Sequence, residues 1–203
     1  MRDAIKADLV KTYDRHAAER DERDIAVWRL AELDRFATLL QQQQKRIVLE
    51  IGAGTGLESE FFLAQGFNII STDQSSGMVK FCREKGLSAV LMDFYHPGFA
   101  SAQFDAIWAF NCLLHVPKKY LPAVLRKIKA ILKPDGLFYV ALWGGTEFEG
   151  LWEDDPYIPK RFFSFYPDNQ IQTVMAETFE IIEFRPVDVE GRELHIQAMI
   201  LRK

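Results

Sequence analysis

The chain contains little cysteine, no long apolar run and no block of charge of one sign. Its two cysteines, Cys82 and Cys112, stand far apart among 203 residues, and we expect both to be free, buried thiols in a reducing compartment. No apolar run approaches the roughly 18–20 residues that a membrane span requires. Residues 1–11 alternate in charge, which argues against a secretory signal. Together these absences predict a cytoplasmic protein.

The scattered charges also narrow the class of partner. Lysine and arginine total 25 and aspartate and glutamate 29, which gives a net charge of −4 without a basic stretch. Nucleic acid is therefore a weak candidate partner, and we expect a small-molecule substrate. His96 and His195 stand at no metal-binding spacing from other ligands, so the sequence predicts no metal site.

Apolar periodicity divides the chain, whose length suits a single domain (1–203), into three parts. Residues 1–44 are expected to form a helical cap, because apolar residues between 25 and 40 recur at helical spacing, with Glu32 as an imperfection. Residues 45–145 alternate short apolar strands with helices and form the expected core. Residues 146–203 are expected to hold a lid region and the final strands.

The strand and helix order within the core predicts an α/β fold with a parallel sheet covered by helices on both faces. Residues 144–166 are expected to be irregular because they are rich in Gly, Pro, acids and aromatics. The predicted strands are 47–51, 67–72, 88–92, 104–110, 137–143, 179–184 and 195–201. The predicted core helices are 57–65, 75–85, 121–132 and 168–177, with Ser75 as an N-cap and Pro122 in a first turn.

The first strand runs into a glycine-rich turn, Glu50-Ile51-Gly52-Ala53-Gly54-Thr55-Gly56. Glycines at alternate positions allow positive φ angles and a close approach of the backbone to a ligand. The helix that follows offers free N–H groups at its N-terminus. Glu50 lies inside an otherwise apolar strand, and a buried carboxylate needs a partner, which a cationic or hydrogen-bonding ligand group would provide.

Polar residues follow the next strands at the edge where such sheets bind ligands. Asp73, after the second strand, could accept hydrogen bonds from a ribose diol, or it could simply stabilise the start of a helix. Asp93 and Phe94, after the third strand, suit the amino group and face of adenine, although Asp93 could instead cap its own turn. Asn111 follows the fourth strand.

These features in chain order resemble the motifs of class I S-adenosylmethionine-dependent methyltransferases. The resemblance covers residues 45–145 and implies a doubly wound, Rossmann-like sheet of seven mostly parallel strands with the last strand antiparallel. It also implies S-adenosylmethionine as the cofactor. Asp135 departs from the pattern, because glycine is commoner there. The matching segments are 48–56, Asp73, Asp93-Phe94, 104–108, 111–116 and 132–136.

The resemblance implies roles for the residues around the methionine part of the cofactor. Gly52-Ala53-Gly54 would pass beneath it, and Glu50 would support its amino group through a network. The backbone of Phe110 and Asn111 would accept hydrogen bonds from its ammonium group. Tyr13 resembles an amino-terminal tyrosine that closes over the cofactor in small members of the family.

The resemblance also implies roles for the residues around the nucleoside part of the cofactor. Asp73 would hold the ribose hydroxyls, with Gln74 and Met78 lining the adenosine pocket. Asp93 and Phe94 would contact adenine.

Methyl transfer mainly requires alignment of acceptor, methyl group and sulfur, and a general base only where the acceptor is protonated. His115 is the best-placed base candidate, and its alternative role is to cap the helix that follows. The other side chains expected near the mouth of the site are Tyr13, His16, Trp143, Arg161 and Tyr166.

Three other functions compete with a methyltransferase. A NAD(P)-dependent oxidoreductase would place Gly or Ala at the sixth position of its fingerprint, which here is Leu57, while the third glycine comes one residue early at Gly56. A nucleoside triphosphatase would require Gly-Lys-Ser/Thr after the glycines, and that sequence is missing. The third alternative is a non-catalytic protein that binds S-adenosylmethionine, and the sequence does not exclude it.

Overall fold

The computed structural model describes residues 2–203, so Met1 of the predicted cap lies outside the described residues. The helices are α1 Arg2–Arg15, α2 Ala17–Asp21, α3 Val27–Gln42, α4 Leu57–Ala64, α5 Ser76–Glu84, α6 Leu121–Ile131 and α7 Asp168–Ala176. The strands are β1 Ile47–Ile51, β2 Asn68–Asp73, β3 Ala89–Leu91, β4 Phe104–Phe110, β5 Leu132–Gly144, β6 Phe148–Leu151, β7 Phe162–Phe165, β8 Glu180–Val187 and β9 His195–Arg202.

Seven of these strands form one sheet in the order β3-β2-β1-β4-β5-β9-β8. The pairs from β3 through β5 are parallel, and β9, the last strand in the chain, is antiparallel to both of its neighbours. The predicted fold class is therefore confirmed. The strand order reverses between β1 and β4, and the crevice beyond their carboxyl ends is where such sheets bind ligands.

Local sequence explains where helices α5 and α6 begin. The Ser75 hydroxyl accepts a hydrogen bond from the backbone N–H of Met78 at 3.1 Å, so it caps α5 as predicted. Pro122 lies in the first turn of α6, where a missing N–H costs little. Both helices bury an apolar side, which includes Met78 and Cys82 in α5 and Val124 and Ile128 in α6.

Alternation along β4 separates two apolar cores, one on each face of the sheet. Ala106 and Trp108 pack with the buried side of α3, whereas Ile107 and Ala109 pack with α6. Glu32 on α3 is buried rather than an imperfection, because it accepts a hydrogen bond from the Tyr139 hydroxyl at 3.0 Å and pairs with Arg185.

One prediction about the fold was wrong. Residues 144–166, expected to be irregular, contain the antiparallel pair β6–β7, in which Phe148 is opposite Phe165. All four residues of β7 are buried, so this strand lacks the alternation of apolar and polar residues that marks a half-exposed strand. Across residues 2–203 the structure contains no helix that is both long and apolar enough to cross a membrane.

Candidate active site

A cavity of about 180 Å³, open to solvent at its mouth, lies beyond the carboxyl ends of β1, β2 and β4. It is the kind of crevice in which doubly wound folds bind their ligands. Most of the predicted site residues line it, whereas Glu50, Met78 and Asp93 do not. The predicted residues in its wall are Tyr13, Gly52, Ala53, Gly54, Asp73, Gln74, Phe94, Phe110, Asn111 and His115.

The glycine turn forms the floor of the cavity. Gly52 has φ +72°, and a Cβ added there would lie 2.3 Å from the Cβ of Cys112. Gly54 has φ +58°, and a Cβ there would meet nothing within 4 Å. Close packing against Cys112 therefore requires glycine at position 52, whereas Gly54 leaves open space on the cavity side of the turn.

Asp73 connects this turn to β2 and α5. Its carboxylate accepts hydrogen bonds from the backbone N–H groups of Gly54 at 3.0 Å and Ser75 at 2.9 Å. Burial raises its pKa to about 6, and the two backbone hydrogen bonds keep it from rising further. Both roles considered from the sequence are thus compatible, because a carboxylate that supports its own helix still has lone pairs for a ligand.

Glu50 lies beneath the turn rather than in the cavity wall. The Ser59 hydroxyl donates to its carboxylate, and the Ser71 hydroxyl in turn donates to Ser59 at 2.6 Å. Burial raises the pKa of Glu50 to about 7, while Ser59 and the charge of Arg29 hold it lower. The partner that a buried carboxylate needs is therefore supplied by the protein.

Asp93 is also engaged within the protein. Lys6 donates to one carboxylate oxygen at 2.5 Å, and the backbone N–H of Tyr95 donates to the other at 2.9 Å. This geometry matches the turn-capping alternative, and Phe94 next to it lines the cavity instead. Met78 is buried in α5, outside the cavity wall.

Two side-chain oxygens in the cavity wall lack a partner among the described residues. They are Oε1 of Gln74 and Oδ1 of Asn111, and both are buried. Asn111 has a φ of +50°, a left-handed conformation that Asn tolerates better than most residues. Because buried polar atoms are normally hydrogen-bonded, these oxygens mark positions where a ligand can donate.

Tyr13 and His115 meet across the cavity. The Tyr13 hydroxyl is 2.7 Å from Nε2 of His115, and Nδ1 is 2.7 Å from the carbonyl oxygen of Phe162. A carbonyl only accepts, so Nδ1 carries the proton and Nε2 accepts from the tyrosine. Burial, together with the charges of Arg161 and Arg20, lowers the pKa of His115 to about 3. His115 therefore bridges two elements rather than capping a helix.

A buried ion pair supports this contact from the segment between β6 and β7. Arg161 makes two-pronged hydrogen bonds to Asp155, one of them 2.7 Å long, and donates to the Tyr13 hydroxyl at 3.1 Å. Its guanidinium also lies 4.4 Å from the ring centre of Tyr157. The expected lid region is thus attached to the N-terminal helices over the cavity.

Sequence reasoning missed three arginines in the cavity wall, Arg20, Arg23 and Arg29. Arg29 pairs with Glu58 and lies 4.5 Å from the ring centre of Phe110. Burial lowers its pKa to about 10, so it is still cationic at neutral pH. Arg20 lies on α2 rather than on the helix that carries Tyr13, so periodicity within one helix does not mark it as a site residue.

The described part of the chain contains no cluster of three or more metal-ligating side chains. Cys82 and Cys112 are free and buried, as predicted. Burial raises the pKa of Cys82 to about 12, so this thiol is unreactive at neutral pH.

Comparison with known proteins identifies similar folds and sequences. Residues 49–140 match a family described as a methyltransferase domain. Demethylmenaquinone methyltransferase from Thermobifida fusca is 38% identical over 68 residues, which are 30% of this chain and 29% of that protein. The structure of a Burkholderia thailandensis 1,6-didemethyltoxoflavin-N1-methyltransferase, with 1,6-didemethyltoxoflavin and S-adenosylhomocysteine bound, superimposes with a TM-score of 0.73 at 23% identity, covering 100% of this chain and 88% of that one.

A third relative shows that this fold serves more than one reaction. The [4+2]-cyclase SpnF superimposes with a TM-score of 0.66 at 20% identity, covering 90% of this chain and 84% of that one. The chain spans only 24% to 44% of the length of curated relatives that it matches. The matched domain, the order of the seven strands and the glycine turn nevertheless agree with the resemblance to methyltransferases that the sequence motifs indicate. Residues 49–140 are therefore similar to a methyltransferase domain, and the chain shares the fold of solved methyltransferase structures.

Proposed function

We propose that this protein binds S-adenosylmethionine in the cavity and transfers its methyl group to a small-molecule acceptor. The observation that carries the proposal is the set of groups gathered in one cavity. The open glycine turn lies beside the Asp73 carboxylate and the unpartnered oxygens of Gln74 and Asn111. A ligand that carries a ribose diol and an ammonium group supplies the donors that these acceptors require.

The residues present suit each part of this cofactor. Asp73 would hold the ribose hydroxyls, Phe94 would pack against adenine, and Asn111 would accept from the methionine ammonium. Arg29, which lies by the glycine turn, would pair with the methionine carboxylate. Asp93 and Met78 would act indirectly, by positioning Phe94 and α5, and Glu50 would support the turn from below.

When bound, the cofactor supplies an activated methyl group and a good leaving group. The protein's part is therefore to bind, orient and exclude water, and orientation alone is worth roughly 7–11 kcal/mol. Tyr13, fixed by His115 and Arg161, would close the cavity from the side of the N-terminal helices. His115 would fix the position of Tyr13, because both of its nitrogens are already hydrogen-bonded.

The proposal extends to the organisation and location of the chain. We propose that residues 1–203 act as one methyltransferase domain, with residues 1–44 as its cap, 45–145 as the cofactor-binding core and 146–203 as the lid and final strands. A cytoplasmic location, a small acceptor and no nucleic-acid partner fit the scattered charges and the free thiols. The alternatives are a non-catalytic protein that binds S-adenosylmethionine and a NAD(P)-dependent oxidoreductase.

Cofactor preference distinguishes a methyltransferase from a NAD(P)-dependent oxidoreductase. We expect calorimetry to show binding of S-adenosylmethionine and S-adenosylhomocysteine and no binding of NAD or NADP. A preference for a nicotinamide nucleotide would refute the proposal. Methyl transfer from labelled cofactor to a metabolite panel then distinguishes an enzyme from a non-catalytic binder.

Removal of the Asp73 carboxylate tests its role toward the ribose. Asp73→Ala is expected to weaken S-adenosylhomocysteine binding by roughly tenfold or more, through loss of hydrogen bonds to a charged acceptor. Because Asp73 also accepts from Gly54 and Ser75, Asp73→Asn is the matched variant that keeps one acceptor oxygen for the backbone. Affinity unchanged in both variants, with the fold intact by circular dichroism, would contradict this role.

A further inference from the structure

We propose that the methyl acceptor is an acid that this protein binds and methylates as its anion, with Arg20 as the counterion. This inference rests on the proposed methyltransferase function and concerns the acceptor alone. Three features carry it: an arginine in the cavity wall that has no ion-pair partner among the described residues, the acids that pair with the neighbouring arginines, and the hydrogen bonds that already occupy His115 and Asp73.

Arg20 lies where the N-terminal helices meet the cavity. Its guanidinium carbon is 5.3 Å from the ring centre of Tyr13, and among residues 2–203 its one side-chain hydrogen bond to another side chain is long, 3.5 Å, to the Tyr157 hydroxyl. Its charge lowers the pKa of both His115 and Asp73. No carboxylate among residues 2–203 lies within ion-pair distance of it. An anion in the cavity would therefore supply the partner that Arg20 lacks.

The neighbouring arginines differ in this respect. Arg23 pairs with Glu19 and donates to the Tyr157 hydroxyl at 2.8 Å. Arg29 pairs with Glu58, and Arg161 pairs with Asp155. If Arg29 holds the cofactor carboxylate, Arg20 is the cation left for the acceptor. Arg is well suited to this task, because its planar guanidinium donates two parallel hydrogen bonds to a carboxylate and stays charged beside any other anion.

His115 and Asp73, the titratable groups nearest Arg20 that could take up a proton, are already hydrogen-bonded. The other side chains beside Arg20 are Tyr13 on α1, Arg29 on α3 and Tyr157 in the lid region. The carboxylates of Asp24 and Glu58 also line the cavity, and Glu58 pairs with Arg29. His115 already accepts a hydrogen bond from Tyr13, and its pKa of about 3 leaves it neutral and weakly basic at pH 7. Asp73 is held by two backbone N–H groups. An acceptor that has lost its proton before binding requires no base, and a nearby guanidinium favours that ionised form.

Transfer of the methyl group to an anion balances in atoms, electrons and charge. The acid gives its proton to solvent, and the anion binds beside Arg20. A lone pair of the anion then forms the bond to the methyl carbon while the carbon–sulfur bond breaks, and the bonding electrons stay on sulfur. The anion and the sulfonium become a neutral methylated product and a neutral thioether. Arg20 then loses its partner, which favours release of the product.

The test compares anionic probes with neutral ones of similar shape on protein saturated with S-adenosylhomocysteine. The pairs are benzoate with benzamide, 4-nitrophenolate with 4-nitroaniline, and the enolate of tetronic acid with γ-butyrolactone, at about pH 8, where each acid is ionised. By calorimetry we expect at least one anion to bind about tenfold or more tightly than its neutral partner. Arg20→Gln should remove this preference, and Arg20→Lys should keep part of it.

Arg126→Gln, on the exposed side of α6, is the matched control and should bind all probes as the unaltered protein does. Failure of S-adenosylhomocysteine to bind at all would refute the proposed function itself. Normal cofactor binding with no anion preference would overturn only the inference about the acceptor. A loss of S-adenosylhomocysteine affinity in Arg20→Gln as large as the loss for the anion would also overturn it, because Arg20 would then serve the cofactor carboxylate.

Discussion

Asp155→Asn is expected to lower the free energy of unfolding by about 3–5 kcal/mol, because it leaves the Arg161 guanidinium buried without its counterion. The Asp155 carboxylate is 1% exposed and the Arg161 side chain 15% exposed, so water compensates little for the loss. The change should also weaken S-adenosylhomocysteine binding, since Arg161 orients the Tyr13 hydroxyl. Urea unfolding at neutral pH gives the first quantity and calorimetry the second.

The same segment provides a control. Glu153 pairs with Lys160 at 3.0 Å, but its side chain is 88% exposed, so Glu153→Gln should change stability by less than about 1 kcal/mol. The double variant Asp155→Asn/Arg161→Met removes both charges and should recover much of the loss. Equal effects of Asp155→Asn and Glu153→Gln would show that burial does not strengthen the Asp155 pair.

The Asp155 pair should also make stability depend on acid pH. Burial alone would raise the pKa of Asp155, but the hydrogen bonds and charge of Arg161 outweigh it and lower the pKa below its usual value of 3.8. A group with a lowered folded pKa contributes stability above its unfolded pKa and loses it as the pH falls through the folded value. The stability difference between the unaltered protein and Asp155→Asn should therefore be full at neutral pH and shrink below about pH 4.

The sheet and its ligand-binding edge were predictable because their signals are local. Each core strand is a short apolar run followed by a turn residue, and the carboxyl ends of parallel strands must meet at one edge. Gly52, Asp73 and Asn111 follow three such strands, and all three line the cavity. The position of each residue at the end of its strand, together with the parallel topology, was sufficient to predict that the three lie close together.

The contacts that close the cavity were not predictable in this way, because their partners are far apart in sequence. Tyr13 and His115 are separated by 102 positions, and Tyr13 and Arg161 by 148. Periodicity reports which face of an element is buried, but it does not report which distant element covers that face. Asp93 illustrates the limit, because its motif position suggested adenine whereas Lys6, 87 positions away, occupies one of its oxygens.

Gly52→Ala is expected to lower the free energy of unfolding by about 2–5 kcal/mol and to abolish detectable S-adenosylhomocysteine binding. Two costs add. A φ of +72° is unfavourable for any residue with a Cβ, and the new Cβ would lie 2.3 Å from the Cβ of Cys112. The turn or the segment after β4 must then shift, and both line the cavity. Denaturant unfolding and calorimetry measure the two effects.

The two costs can be separated by variants elsewhere in the chain. Gly66→Ala carries a similar φ of +83° but would meet nothing within 4 Å, so it should cost only the backbone part, about 1–2 kcal/mol. Cys112→Gly removes the clashing atoms, so Gly52→Ala/Cys112→Gly should be more stable than the sum of the single changes predicts. Purely additive effects would mean that the close packing of Gly52 against Cys112 does not position the turn. The open floor of the cavity would then depend on backbone conformation alone.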